Sequence, residues 1–154
     1  MRTVYKVLAY IIAVEVAVQA SLVVLANAGL GKWVTDGGVL DKAVMESDEF
    51  AFPEIIGFIL HGVNGGMVIP ALALLLLIVS FFAQVSGGVK FAAVVLLLVA
   101  VQVTLGYAGH ELPALGAMHG LNALLLFTAA LHTARRAQPG TTGAPAGTPT
   151  ATSV

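Results

Sequence analysis

The chain has 154 residues, 58% of them hydrophobic and only 10% charged, with a formal net charge of −1. A soluble domain carries roughly 25% charged residues, so this composition belongs in a membrane, and with no basic patch to meet phosphates nothing points to nucleic acid. There is no cysteine, which excludes disulfides and cysteine-held zinc or iron–sulfur clusters and leaves His, Met, carboxylates and backbone groups to hold any cofactor.

A spanning helix needs about 20 mostly apolar residues, and four segments qualify: 4–30, 52–85, 90–108 and 112–133. The expected fold is all-α, a four-helix transmembrane bundle over 1–136 with the lipid bilayer around it. The first segment has a competing reading as a signal peptide cleaved at Ala26-Asn27-Ala28. Its apolar run exceeds the usual signal core of about 7–15 residues, and Glu15 and Gln19 interrupt it. The second segment is long enough to tilt, or to kink at Pro70. Arg2, Lys6, Lys90, Arg135 and Arg136 fall on one side of such a bundle, and Lys32 and Lys42 on the other. The richer side is the cytoplasmic one, so the expected localisation is the plasma membrane, multi-pass, with both termini inside. The 31–51 loop is then outside and acidic, through Asp36, Asp41, Glu46, Asp48 and Glu49, with Trp33 at the outer interface. The second outer connection, Gly109-His110-Glu111-Leu112-Pro113, is short. Over 137–154 Gly, Ala, Pro, Thr and Ser dominate, as in a disordered cytoplasmic tail.

Two motifs recur. Val16-Ala17-Val18-Gln19-Ala20-Ser21-Leu22 in the first helix matches Val99-Ala100-Val101-Gln102-Val103-Thr104-Leu105 in the third. His61-Gly62-Val63-Asn64 in the second matches His119-Gly120-Leu121-Asn122 in the fourth, 58 positions on. The bundle therefore reads as two helix hairpins related by a pseudo-twofold axis along the membrane normal, a parallel repeat.

A histidine inside a membrane helix is costly and marks a functional site by default. His61 and His119 lie at similar depth, roughly 10–14 Å below the outer helix ends at 1.5 Å per residue. The pseudo-twofold axis brings them face to face across the core, the arrangement that bis-histidine ligation of a haem requires. One haem b per chain is the expected cofactor. Residues three and four away share a helix face. Gly57, Gly65 and Gly116 leave room for a flat macrocycle, while Gly62-x-x-x-Gly66 and Gly116-x-x-x-Gly120 have the alternative reading of close helix contacts. Asn64 and Asn122, with Gln19 and Gln102, complete the expected surroundings. The alternatives are structural hydrogen bonding between helices, or another metal, for which His110 is the one further ligand at the outer end. His132 lies about 20 Å below His119 with no partner in the second helix, which makes it a headgroup-level residue. For Glu15, a carboxyl held by Gln19, Gln102 or Thr104 is preferred to a proton carrier. No Ser–His–Asp set, phosphate loop or carboxylate pair is present.

The pattern resembles one four-helix half of the haem A synthase family, in which each half carries a histidine on its second and fourth helices. Gln102-Val103-Thr104-Leu105-Gly106 is similar to that family's third-helix Gln-x-x-Leu-Gly stretch. The chain also resembles small bacterial integral membrane proteins of unassigned function. The resemblance to the synthase implies haem ligation by His61 and His119. The family's catalytic glutamate stands about one turn before the first histidine, where this chain has Gly57 and Phe58. The nearest acid is Glu54, seven residues before His61, too far for direct contact but within reach of a haem substituent. The expected functions are a b-type cytochrome-like protein moving electrons or handling haem, a haem-modifying oxidase, or a cofactor-free assembly subunit. The partners would be a respiratory or other redox protein, or a second copy in a homodimer.

Overall fold

A computed structural model of the chain describes residues 1–47 and 49–137. Four of its helices are long and apolar enough to cross a membrane: α1 (Arg2–Thr35), α2 (Pro53–Ser80), α3 (Gly88–Glu111) and α4 (Pro113–Arg136). The described chain has no strand. This is the all-α four-helix bundle of a multi-pass membrane protein. Apart from Ala137, the expected tail of 137–154 lies outside the described residues, as does Asp48.

The helix boundaries shift for local reasons. α1 runs past position 30 to Thr35, where Lys32 pairs with Asp36 one turn on and Gly37 takes φ +102° and ends the run. The loop expected at 31–51 thus begins at Asp36. It holds one helical turn, Lys42–Met45, whose start is capped by Asp41 Oδ1 accepting from Val44 N–H at 2.9 Å. α2 stops at Ser80 rather than 85, and Gln84 (φ 52°) and Gly87 (φ 70°) turn the chain into α3. The expected outer connection 109–113 shrinks to Leu112. His110 and Glu111 are the last residues of α3, and Leu112 is extended, as a residue before proline prefers. Gly109 and Gly116 make this turn possible: a Cβ on Gly109 would lie 2.9 Å from the Gly116 Cα.

α1 packs on α2 and α4, and α3 packs on the same two, so α2 and α4 stand diagonally. Let the end where α1 begins be the inner end. The core fills the inner half, through Ile12, Leu76, Val95, Val99 and Leu126. There Tyr5 Oη donates to Gly88 O at 2.9 Å and Arg2 Nη2 to Gln84 O at 3.0 Å, tying the start of α1 to the α2–α3 connection. The outer half of the second hairpin is loose. From Ala100 to Leu121 no residue is fully buried.

Burial repeats the sequence repeat. Ile12, Ala9 and Tyr5 are buried seven, ten and fourteen residues before Gln19; Val95, Ala92 and Gly88 are buried at the same distances before Gln102. In α4, Leu126, Ala130 and Thr133 are buried seven, eleven and fourteen residues after His119. In α2, Ile69, Ala73 and Leu76 are buried eight, twelve and fifteen after His61. The one extra residue of α2 is taken up by a π-helical turn, Asn64–Val68, the usual form of a single-residue insertion in an α-helix. Pro70 favours the wide turn. It lacks an N–H, and its ring crowds the carbonyl four residues back, that of Gly66. The expected tilt or kink of the second helix therefore takes the form of this π turn followed by proline.

Candidate functional site

His61 lies eight residues into α2 and His119 six residues into α4, so their depths differ by about 3 Å. Their rings face each other across the bundle, with centroids 6.0 Å apart and planes at 59°. Both are half-buried.

Each imidazole is anchored in the same way. His61 Nδ1 meets the main-chain carbonyl of Gln19 at 3.2 Å, and His119 Nδ1 meets that of Gln102 at 3.0 Å. A carbonyl only accepts, so with the hydrogen on Nδ1 each of these contacts is satisfied and Nε2 presents a lone pair. That is the tautomer a metal-binding histidine needs, and a carbonyl is a customary acceptor for its other nitrogen. Two imidazoles on opposite sides of one metal ion, with bonds of about 2 Å, hold their ring centres about 6 Å apart. The 6.0 Å between the ring centroids is compatible with that spacing. Among the described residues no three His, Asp or Glu side chains converge. His110 is exposed at the outer end of α3, so nothing joins the pair as a third ligand.

The amides form a second matched set, one turn inward. Asn122 Nδ2 donates to Gln102 Oε1 at 2.6 Å and to Leu98 O at 3.0 Å. Asn64 Nδ2 donates to Glu15 Oε2 at 2.7 Å and, with the Gln19 amide oxygen turned toward α2, to Gln19 Oε1 at 2.9 Å. In this orientation Gln19 Oε1 also accepts from Gly65 N–H, in the π turn, at 3.0 Å; its nitrogen donates to His61 O at 3.1 Å and lies 2.5 Å from His61 Nδ1, where it competes with the Gln19 carbonyl for that ring atom. The expected holders of Glu15, namely Gln19, Gln102 or Thr104, thus give way to Asn64. Thr104 bonds back to Ala100 of its own helix.

No family model, curated protein or solved structure matches the chain.

The glycines divide by role. A Cβ on Gly57 would sit 2.5 Å from Leu22 O, and Gly116 abuts Gly109. Both therefore serve helix contacts rather than leaving space beside a ring. A Cβ on Gly65 would touch the Gln19 amide at 3.4 Å. Gly62 and Gly120, next to the histidines, have nothing within 4 Å of their Cβ positions. Gly106 went unnoticed as a site residue: its Cβ position is 3.2 Å from His119 Cε1 and Nδ1, so glycine there lets the ring lie close against α3. Its signal was the Gln102–Gly106 stretch itself. Glu54 packs against Gly29 of α1. His132 lies at the inner end, where its Nε2 accepts from Arg136 Nε at 3.2 Å and its ring meets Phe91 edge-on at 5.0 Å.

Proposed function

We propose that the chain is an integral membrane haem protein of b type, with one haem b held by His61 and His119, working in electron transfer or haem handling near the outer face. The observation that carries this reading is the symmetric pair: two imidazoles on diagonal helices, 6.0 Å apart, each with Nδ1 tied to the carbonyl of a repeat-related glutamine. Haem would supply a one-electron centre whose potential depends on its axial ligands and their hydrogen bonds. The chain's own part is to fix both rings. The carbonyls of Gln19 and Gln102 select the tautomer and raise the basicity of each Nε2. The bulky contacts lie in the inner half, away from the rings. Five of the seven Lys and Arg residues stand at the inner end, which supports a plasma-membrane protein with cytoplasmic termini. Beyond lipid, such a protein needs a redox partner to give or take the electron, reached alone or as a homodimer. The haem-modifying oxidase reading is weaker, because the acid expected to serve it, Glu54, is packed on α1.

The deciding experiment is an absorption spectrum of the purified protein, oxidised and reduced. The expected result is a low-spin haem b spectrum. His61→Ala and His119→Ala should each give a high-spin haem or none, and His132→Ala should change little. Haem-free wild-type protein, or low-spin bands unchanged in either ligand variant, would overturn the proposal.

A further inference from the structure

The two halves of the site match at every polar position but one. Gln19 corresponds to Gln102 and Asn64 to Asn122. Each asparagine donates to its glutamine and to the residue one turn inward of that glutamine. In the second hairpin that residue is Leu98, which offers a main-chain carbonyl. In the first it is Glu15, which offers a carboxylate. The difference places one ionisable group in the middle of the membrane on the His61 side alone.

Glu15 is coupled to His61 by two short routes that avoid direct contact. Its Oε2 holds Asn64, three residues from His61, and it lies one turn from Gln19, whose carbonyl holds His61 Nδ1. The other titratable groups that flank it along the packed helices are few. Between Tyr10 and Lys32, α1 has Glu15 alone. From Glu54 to its end α2 has His61, and from Pro113 to His132 α4 has His119. On α3 none lies between Lys90 and Tyr107. A charge change at the histidine pair therefore has one side-chain carboxylate of the chain within reach to answer it, beside any propionates of the haem itself, in surroundings of low dielectric where charges interact strongly.

We propose that Glu15 is the group that takes up a proton when the site held by His61 and His119 is reduced, which makes electron transfer here proton-coupled. This rests on the haem reading above. The balance is simple. One electron comes from a one-electron donor and lowers the charge of the site by one. One proton comes from water and adds to Glu15 Oε1, the oxygen Asn64 does not hold, giving the neutral acid. No other bond forms or breaks. On oxidation both leave.

The test is a spectroelectrochemical titration of the haem-loaded protein, with dithionite and mediators, from about pH 6 to about pH 9, a range that spares ordinary exposed carboxylates. The wild-type midpoint should fall as pH rises, approaching one proton per electron, about 59 mV per pH unit. Glu15→Gln should flatten the slope. So should Glu15→Leu, which installs the residue found at the matching position of the second hairpin. A flat wild-type profile, or a slope that survives both substitutions, overturns the proposal. If neither variant retains haem, the wild type decides alone. Its reduced-minus-oxidised infrared difference spectrum must show a carboxyl group becoming protonated, and the absence of that band overturns the proposal. Wild-type protein without haem would overturn the parent reading and this one with it; a loaded protein with a pH-independent potential would overturn this one only.

Discussion

Asn122 is only 5% exposed and donates two hydrogen bonds across helices, to Gln102 Oε1 and Leu98 O. Polar contacts of this kind are worth about 0.6 kcal/mol on average within membranes and up to about 1.7. Asn122→Leu should therefore lower stability by about 1 kcal/mol, read as a shift in the unfolding midpoint in mixed detergent. At this scale the sequence was partly legible. The histidines and their common depth follow from a motif printed twice, and a histidine stands out in an apolar run. Their anchors do not, because a main-chain carbonyl has no side-chain signature and any residue at position 19 or 102 offers one. Gly57 was misjudged for a related reason. One turn of helix presents several faces, and a glycine near a histidine reads the same whether it borders a cofactor or the neighbouring helix.

At the scale of the element, α2 and α4 do the same work with different lengths, and the π turn Asn64–Val68 absorbs the difference. Removing one residue from an α-helix turns everything beyond it by about 100°. Deleting Leu121 should swing Leu126 and Ala130 out of the core and cost much of the stability. Deleting Met67 should do far less. With the π turn closed to a regular helix, the residues now at Ile69, Ala73 and Leu76 would follow His61 by seven, eleven and fourteen positions, the spacing α4 already uses. Thermal melts of the two variants, compared by intrinsic fluorescence or circular dichroism, check this, and an equal loss for both would refute it. The insertion was invisible in the sequence because the stretch after Gly66 is apolar on every face. Sliding one apolar residue past another leaves no mark on such a pattern.

For the whole molecule, the composition and four apolar runs were enough to read the fold, because a membrane leaves a chain few ways to satisfy its backbone. The ends of the helices were read less well, since capping and proline geometry decide them. Orientation is testable directly. Ser47 lies in the outer loop and Ser86 in the α2–α3 connection, both exposed. In whole cells Ser47→Cys should react with an impermeant thiol reagent and Ser86→Cys should not. The uneven packing has its own expected outcome. A ligand that binds only the folded state stabilises it, and the outer half of the second hairpin has little buried contact of its own. If haem is held as proposed, stripping it should lower the melting temperature and expose the outer connections to protease before the inner ones. Equal melting with and without haem would contradict that.

The turn at Leu112 and the contact of Gly57 with α1 seal each hairpin at its outer end, whereas α2 approaches α3 closely through Ile69–Ser80. The outer seam between the hairpins is crossed by one side chain of note. Tyr107 is 70% exposed, and its hydroxyl lies 3.8 Å from the Cβ position of Gly66. If the histidine pair holds a haem as proposed, this seam is the side on which its edge would meet lipid.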